Sequence, residues 1–294
     1  MITVDAGGMV EQRRRSTSAA VMAVGKKVGY ASKVVMKRKQ RWRKRRRTAA
    51  ESFPVKSTAL QRLFVSCKDV FSGSNDVPSP SDVQMLTAIL DDIKPEDVGL
   101  SKELQFFKAS KVPKGTPRVT YTTIYQCNQF SLCIFFLPAK AVIPLHNHPG
   151  MTVFSKLLLG TMHIKSYDWV DPANSHSSVP NVNPQARMAE MVTNNVFTAP
   201  CDTNVLYPTS GGNIHEFRAI TPCAVLDVIG PPYSAKDNRD CSYYKELPHD
   251  AVTDEEEKES YGWLQEIEVP EDSQMDGIEY LGPQVIDSST HPYY

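Results

Sequence analysis

Leu157-Leu158-Leu159-Gly160-Thr161-Met162-His163-Ile164 reads as two extended runs turned back on each other at Gly160. Outward from this hairpin the chain keeps the same character. Short β-rich runs occupy 119–126, 130–136, 152–159, 162–169, 186–192, 196–199, 204–207, 214–220 and 223–230, punctuated by Gly, Pro, Asn and Asp. Many short strands at this spacing predict a mainly β fold, a sandwich or a barrel, and the double-sheet jelly roll is one such solution. Residues 170–185, with three prolines and several Asn and Ser, are expected to form a long surface loop. No internal repeat is visible.

Upstream of Val119 the period changes. Leu60, Leu63, Phe64, Cys67, Val70 and Phe71 recur at helical spacing in a segment that begins near Ser57. After a turn-rich stretch at 72–80, Ser79 or Ser81 caps a second helix with Val83, Leu86, Ile89, Leu90 and Ile93 on one face. The Pro/Lys/Gly stretch 111–117 separates this helical preface from the strands. Residues 250–294 are acidic and contain Pro and Gly, with Glu255-Glu256-Glu257 reading as a solvated face and 280–294 as a packed arm or a free one. The expected layout is a basic tail over 1–55, a folded unit over 56–250 that includes the preface, and an acidic extension over 251–294.

The net charge of zero conceals an asymmetry. Residues 1–50 carry 15 Lys/Arg and two acids, a net of +13, which leaves 18 bases and 31 acids, a net of −13, in the remainder. The run Lys37-Arg38-Lys39-Gln40-Arg41-Trp42-Arg43-Lys44-Arg45-Arg46-Arg47 repels itself and buries no core, so disorder is expected there. Nuclear import, helped by Arg13-Arg14-Arg15, is its leading reading. Nucleic-acid binding ranks below import, and a solvated tail without a partner is the remaining reading. No apolar run approaches the roughly 18 residues of a membrane helix, and no apolar segment of a secretory signal follows the N-terminus. Six cysteines without a CxxC pair argue against a zinc ribbon and for a reducing compartment with free thiols.

The chemistry sits in Pro144-Leu145-His146-Asn147-His148-Pro149-Gly150. Residues i and i+2 of a strand share a face, so His146 and His148 present two imidazoles to one cavity. A lone His-x-His pair is a weak signal, since two surface histidines beside a turn look the same. His215 strengthens it, because Pro208-Thr209-Ser210-Gly211-Gly212-Asn213-Ile214-His215-Glu216-Phe217 is a Gly-rich turn feeding a strand. His163, in the strand after the hairpin, is the reserve candidate. His176, His249 and His291 fall in a loop or near the tail.

These residues carry a resemblance to the cupin superfamily, whose motifs are G-x5-H-x-H-x3,4-E-x6-G and G-x5-P-x-G-x2-H-x3-N. His146-x-His148, four residues, Val153, six residues and Gly160 reproduce the first spacing, with Val153 at the glutamate position. Pro208, Gly212 and His215 reproduce most of the second, with two extra residues after Pro208 and Ala219 in place of Asn. A cupin that keeps three histidines and loses the acid resembles a thiol dioxygenase. The helical preface, the run Leu145 to Met151 and Asp227-Val228-Ile229-Gly230-Pro231-Pro232-Tyr233 are closely similar to the plant cysteine oxidases, relatives of animal cysteamine dioxygenase. The similarity covers roughly residues 57–250 and leaves the basic tail outside.

The resemblance implies a cupin double-stranded β-helix (jelly roll) with an N-terminal helical preface, one Fe(II) per chain on His146, His148 and His215, and O2 as co-substrate. Iron oxygenases more often use two His and one carboxylate. Without the carboxylate the site keeps its full 2+ charge, which suits a thiolate substrate. Three histidines plus water also make a catalytic zinc set; spacing does not separate the metals, and the resemblance favours iron. It further implies oxidation of an N-terminal cysteine on a protein, such as a group VII ethylene response factor, to the sulfinic acid. The enzyme would then be an oxygen sensor feeding the Arg/Cys N-degron pathway in the hypoxia response, a monomer in nucleus and cytoplasm. The alternatives are a dioxygenase of free cysteine or cysteamine, and a non-enzymatic cupin whose basic arm touches DNA.

Asp227 interrupts the apolar run Ala224-Val225-Leu226-Asp227-Val228-Ile229, where an unpaired buried charge is costly. Alternation places it with Val225 and Ile229, and the family has an active-site Asp at the matching place. Asp227 is therefore expected to bind the substrate's amine or backbone, with Tyr233 as a second polar contact. Its plainer reading is an acid bonded to backbone or to Arg218. Animal cysteamine dioxygenase joins a Cys and a Tyr two residues apart, the spacing of Cys241-Ser242-Tyr243, for which a free buried thiol is the simpler reading.

Overall fold

Thr58 starts the first element. Its hydroxyl accepts the Gln61 N–H at 3.1 Å, satisfying a donor that a helix start leaves free. Helix α1 then runs Ala59–Val70 and buries Leu60, Leu63, Phe64 and Cys67 on one face. Ser79 caps helix α2, Pro80–Asp92, and Pro80 sits in the first turn, where a missing N–H costs nothing. Leu86 and Leu90 are its buried residues, while Ile93 is buried just past the helix end. A short helix α3, Gln105–Lys108, follows. The computed structural model describes residues 57–73, 77–108, 117–171, 185–248 and 260–288. The basic tail, 172–184 of the expected loop, Glu255-Glu256-Glu257, His176, His249 and His291 lie outside them.

Twelve strands follow among the described residues: β1 Thr120–Gln126, β2 Ser131–Leu137, β3 Val142–Asn147, β4 Thr152–Leu159, β5 Thr161–Trp169, β6 Ala186–Thr198, β7 Asn204–Leu206, β8 Ile214–Ala219, β9 Cys223–Gly230, β10 Tyr243–Leu247, β11 Tyr261–Ile267 and β12 Asp276–Gly277. One sheet has the order β12-β1-β2-β9-β4-β7, and the other closes on itself as β10-β11-β6-β5-β8-β3. This is the mainly β, double-stranded β-helix fold of a cupin, with short helices before it. The hairpin turns at Gly160 as read. Gly160 has φ +96°, and a Cβ there would lie 2.3 Å from the Pro222 carbonyl oxygen, so only glycine fits.

The strands depart from the sequence reading. The runs 186–192 and 196–199 are one strand, β6, paired with β5 from Thr161↔Thr198 to Trp169↔Ala189. Asn194 and Asn195, which read as punctuation, are exposed within it, and continuous pairing overrides their weak strand preference. The segment after residue 250 supplies β11, which pairs with both β10 and β6, and β12, which lies parallel to β1.

The helices cover the outer face of the first sheet. Leu60, Leu63 and Phe64 pack with Leu132, Ile134 and Leu226 in one buried cluster. A charged tie reinforces the contact: Lys156 of β4, only 5% exposed, donates to Asp91 at 2.9 Å and to the Cys201 carbonyl at 2.6 Å. Between the sheets Ile143, Leu157, Met162, Phe217 and Val225 form a second cluster. Inward-facing residues of β3, β4, β8 and β9 therefore meet in the interior, and the histidines lie among them.

Candidate metal centre

A bulge in β3 sets the face of the first ligand. Ile143 pairs with Phe217 and His146 with His215, so Pro144 and Leu145 together oppose a single residue of β8. Pro144 has no N–H to offer a ladder and is tolerated at such a bulge. The extra residue keeps both Ile143 and His146 facing inward and turns Leu145 to a separate cluster with Tyr167 and Ile214. β3 ends at Asn147, so His148 lies one residue past the strand that the i, i+2 argument assumed. The two rings still converge, with centroids 5.0 Å apart.

His146, His148 and His215 bring one ligand atom each to within 4.8 Å of one another, and no other such donor group of three occurs among the described residues. All three rings are buried. Burial pushes the His146 imidazole down to about 4, and burial with the neighbouring rings holds His148 and His215 well below the usual range. At neutral pH they are uncharged and able to donate lone pairs. The His146 Nδ1–H donates to the Pro144 carbonyl at 2.8 Å. Tyr233 donates its hydroxyl proton to the Asn147 carbonyl at 2.9 Å, and its oxygen is left to accept the His148 Nδ1–H at 2.9 Å. Both bonds leave Nε2 as the free ligand atom, the outer contact that orients a metal-binding imidazole. His148 Nε2 and His215 Nε2 lie 3.0 Å apart. His215 Nδ1 has no hydrogen-bond partner. Three converging imidazole nitrogens with no carboxylate form a donor set that fits a first-row transition metal.

Val153, at the glutamate position of the cupin motif, is fully buried between Leu206 and Ile229. Asp227 pairs with Ser155 and Cys133 on neighbouring strands and shares the inward face of Val225 and Ile229. It is 5% exposed, and its Oδ1 has no hydrogen-bond partner. Burial pushes its carboxyl up to about 7, partly offset by the Ser155 hydroxyl. Arg218 is bonded instead to Glu216, at 2.9 Å. Tyr233 has one flank in solvent, while burial, then Cys241, Tyr243 and Asp227, raise its hydroxyl well above the usual range. Cys241 is a free thiol, pushed up by burial, which the neighbouring Tyr233 and Tyr243 hydroxyls partly offset. Tyr243 pairs with His146 across the strands. His163, the reserve candidate, is elsewhere, its Nε2 2.9 Å from Asn194 Oδ1.

Sequence reasoning missed the residues that hold the ligands from outside. Asn213 grips the backbone of His148, and Asp168 accepts the N–H groups of Gly212 and Asn213. Asn147 locks the strand end by accepting the Ser242 N–H at 2.8 Å and donating its own backbone N–H to the Ser242 carbonyl at 3.1 Å. The Gly-Gly-Asn-Ile-His run was the available signal for Asn213, and nothing local pointed to Asp168.

Comparison with known proteins gives a consistent picture. The family model PCO_ADO matches residues 89–285. The chain is 52% identical over 235 residues to Plant cysteine oxidase 2 of Arabidopsis thaliana, covering 77% of this chain and 83% of that protein. It is 50% identical over 244 residues to Plant cysteine oxidase 1 of the same plant, covering 78% and 81%. It is 30% identical over 252 residues to 2-aminoethanethiol dioxygenase of Mus musculus, covering 78% and 97%.

Proposed function

This chain belongs to the PCO_ADO family of thiol dioxygenases, and we propose that it uses Fe(II), one per chain, to oxidise the N-terminal cysteine of target proteins to cysteine sulfinic acid. The observation that carries the reading is the donor set: three buried, neutral imidazoles with no carboxylate among them. Cysteine is favoured over cysteamine because identity to the proteins named plant cysteine oxidase is 52% and 50%, against 30% to the protein named for 2-aminoethanethiol. Family membership sets aside the non-enzymatic reading.

A ferrous ion on His146, His148 and His215 would supply the unpaired electrons that let ground-state O2 react with a thiolate, and the charge that lowers the thiol pKa. The chain's own part is to place and hold. Its three ligands add no charge, so the anion comes from the substrate. Asp227 Oδ1, without a partner and facing inward, accepts a hydrogen bond or a proton from the substrate's α-amine. A carboxyl that titrates near 7 suits that exchange at neutral pH. Tyr233 acts through His148 as a positioning residue, fixing the ring with Nε2 toward the centre, and its exposed flank borders the approach to the site. In the net reaction R–SH and O2 give R–SO2H, both oxygens end on sulfur, and no group leaves.

The proposal extends to a monomeric oxygen sensor acting in nucleus and cytoplasm on proteins such as group VII ethylene response factors, whose oxidised cysteine feeds the Arg/Cys N-degron route. The basic run Lys37–Arg47 supports the nuclear share. No helix among the described residues is long and apolar enough to cross a membrane. The deciding experiment incubates the Fe(II)-loaded protein under labelled O2 with a Cys-initiating peptide, its N-acetylated form, free cysteine and cysteamine. Two labelled oxygens on the free-amine peptide alone are expected. Oxidation of only the small thiols would replace the substrate class, and oxidation of none would reject the activity.

A further inference from the structure

The ladder between β3 and β8 pairs His146 with His215 and Asn147 with Ile214. The next pair in that register would be His148 with Asn213, but both strands have ended. Gly211 and Gly212 have φ +80° and +83° and carry the backbone away from the sheet. A Cβ on Gly212 would lie 2.4 Å from Ser166 Oγ, so this path is closed to other residues. The Asn213 side chain occupies the place the backbone left. Its Oδ1 accepts the His148 N–H at 3.1 Å, and its Nδ2 donates to the His148 carbonyl at 2.9 Å and to the Tyr207 carbonyl at 2.7 Å. A primary amide carries the donor and acceptor of a peptide group, so His148 is held by the two bonds a partner strand would have given it. Asn213 is 7% exposed and is itself anchored, its N–H donated to Asp168 Oδ1 at 2.8 Å.

From this geometry we propose that Asn213 is a positioning residue for metal binding: its side chain acts as one more rung of the ladder and fixes His148 against His215. The inference rests on the three-histidine metal site assigned above. His148 is the ligand that needs such a device. His146 and His215 lie within paired strands, whereas His148 lies in a turn that leads to Pro149 and Gly150. Asn213 stands two residues before His215, so one amide links the turn that carries the second ligand to the strand that carries the third. Asp168, by fixing Gly212 and Asn213, sets where that amide points.

The test measures Co(II), which serves as an oxygen-stable probe, by chelator competition and by its visible absorption. The wild type, Asn213→Ala, Asn213→Asp, His146→Ala and Leu86→Ala are compared. Leu86 is buried in α2, so its truncation lowers the melting temperature without approaching the site. One Co(II) per wild-type chain is expected, binding about 10- to 100-fold weaker with an altered band in Asn213→Ala, and wild-type affinity in Leu86→Ala. Asn213→Asp keeps the shape but turns a carboxylate oxygen toward two carbonyls, and should bind no better than the alanine variant. Wild-type affinity and band in both Asn213 variants would overturn the clamp while leaving the metal site standing. So would a loss in Leu86→Ala equal to theirs at equal melting temperature. Failure of the wild type itself to bind, with His146→Ala indistinguishable from it, would overturn the site and the clamp together. If neither Asn213 variant folds, amide exchange in the wild type decides. The His148 N–H should be as protected as those of β3, and free exchange there would overturn the proposal.

Discussion

Asp227 is a carboxyl enclosed in an apolar strand with one oxygen unbonded. Replacement by asparagine keeps its shape and removes its charge. Asp227→Asn should retain iron and melt near the wild-type temperature, yet turn over a Cys-initiating peptide at least about tenfold more slowly, the scale of a positioned acid or base. Unchanged turnover, or a loss matched by missing iron, would contradict the role. The same group has a signature in stability. Its folded pKa of about 7 lies above the ordinary 3.8, so the folded state holds the proton more tightly. Its contribution is complete below about pH 4 and is lost as pH rises through about 7. Relative to the metal-free wild type, Asp227→Asn should gain stability over that window, by at most about 4 kcal/mol. Parallel melting profiles from about pH 4 to 8 would contradict this. Asp227 was legible because a charge in an apolar run announces itself and alternation gives its face. Asn213 was not. An Asn after two glycines reads as a turn residue, and its partner is 65 residues away in sequence.

At the scale of elements, helix α1 was legible because its apolar spacing is local. Its face packs on the outer side of the first sheet, opposite the interior that holds the imidazoles. Leu63→Ala should therefore cost about 2–5 kcal/mol and lower the melting temperature while leaving iron content and turnover intact. Loss of iron at permissive temperature would show the preface to be part of the site. The bulge at Pro144 and Leu145 was not legible, since only the partner strand reveals that one residue is surplus. β10 and β11 were missed for a related reason. β10 meets β3 at His146 and β11 runs along β6 from Glu190 to Ala186, partners more than fifty residues away, so no local period marks their place.

At the scale of the molecule, the two halves of the charge asymmetry make separate predictions. With 15 basic residues in a segment upstream of the matched family region, deletion of residues 1–50 should leave turnover of a short peptide unchanged and lower the nuclear fraction seen by imaging. Lost turnover would assign the tail to the catalytic unit, and an unchanged nuclear fraction would refute import. The acidic side contains a stitch between remote parts of the chain. Ile286 exchanges hydrogen bonds with Gln61, Asp287 takes Lys68 at 2.7 Å and Tyr125 at 3.1 Å, and Tyr280 reaches the Val98 carbonyl at 3.3 Å. Helix α1 is thus joined to residues made more than two hundred positions later.

That order of manufacture reaches the metal. β11 bridges β10 to β6 and closes the second sheet, yet it begins at Tyr261, long after His215 has been translated. A growing polypeptide still on the ribosome owns all three ligands before it owns the wall that encloses them. Metal capture is then expected of the finished protein rather than the nascent one. Chains arrested before Tyr261 should let Co(II) wash away, whereas released full-length protein keeps it.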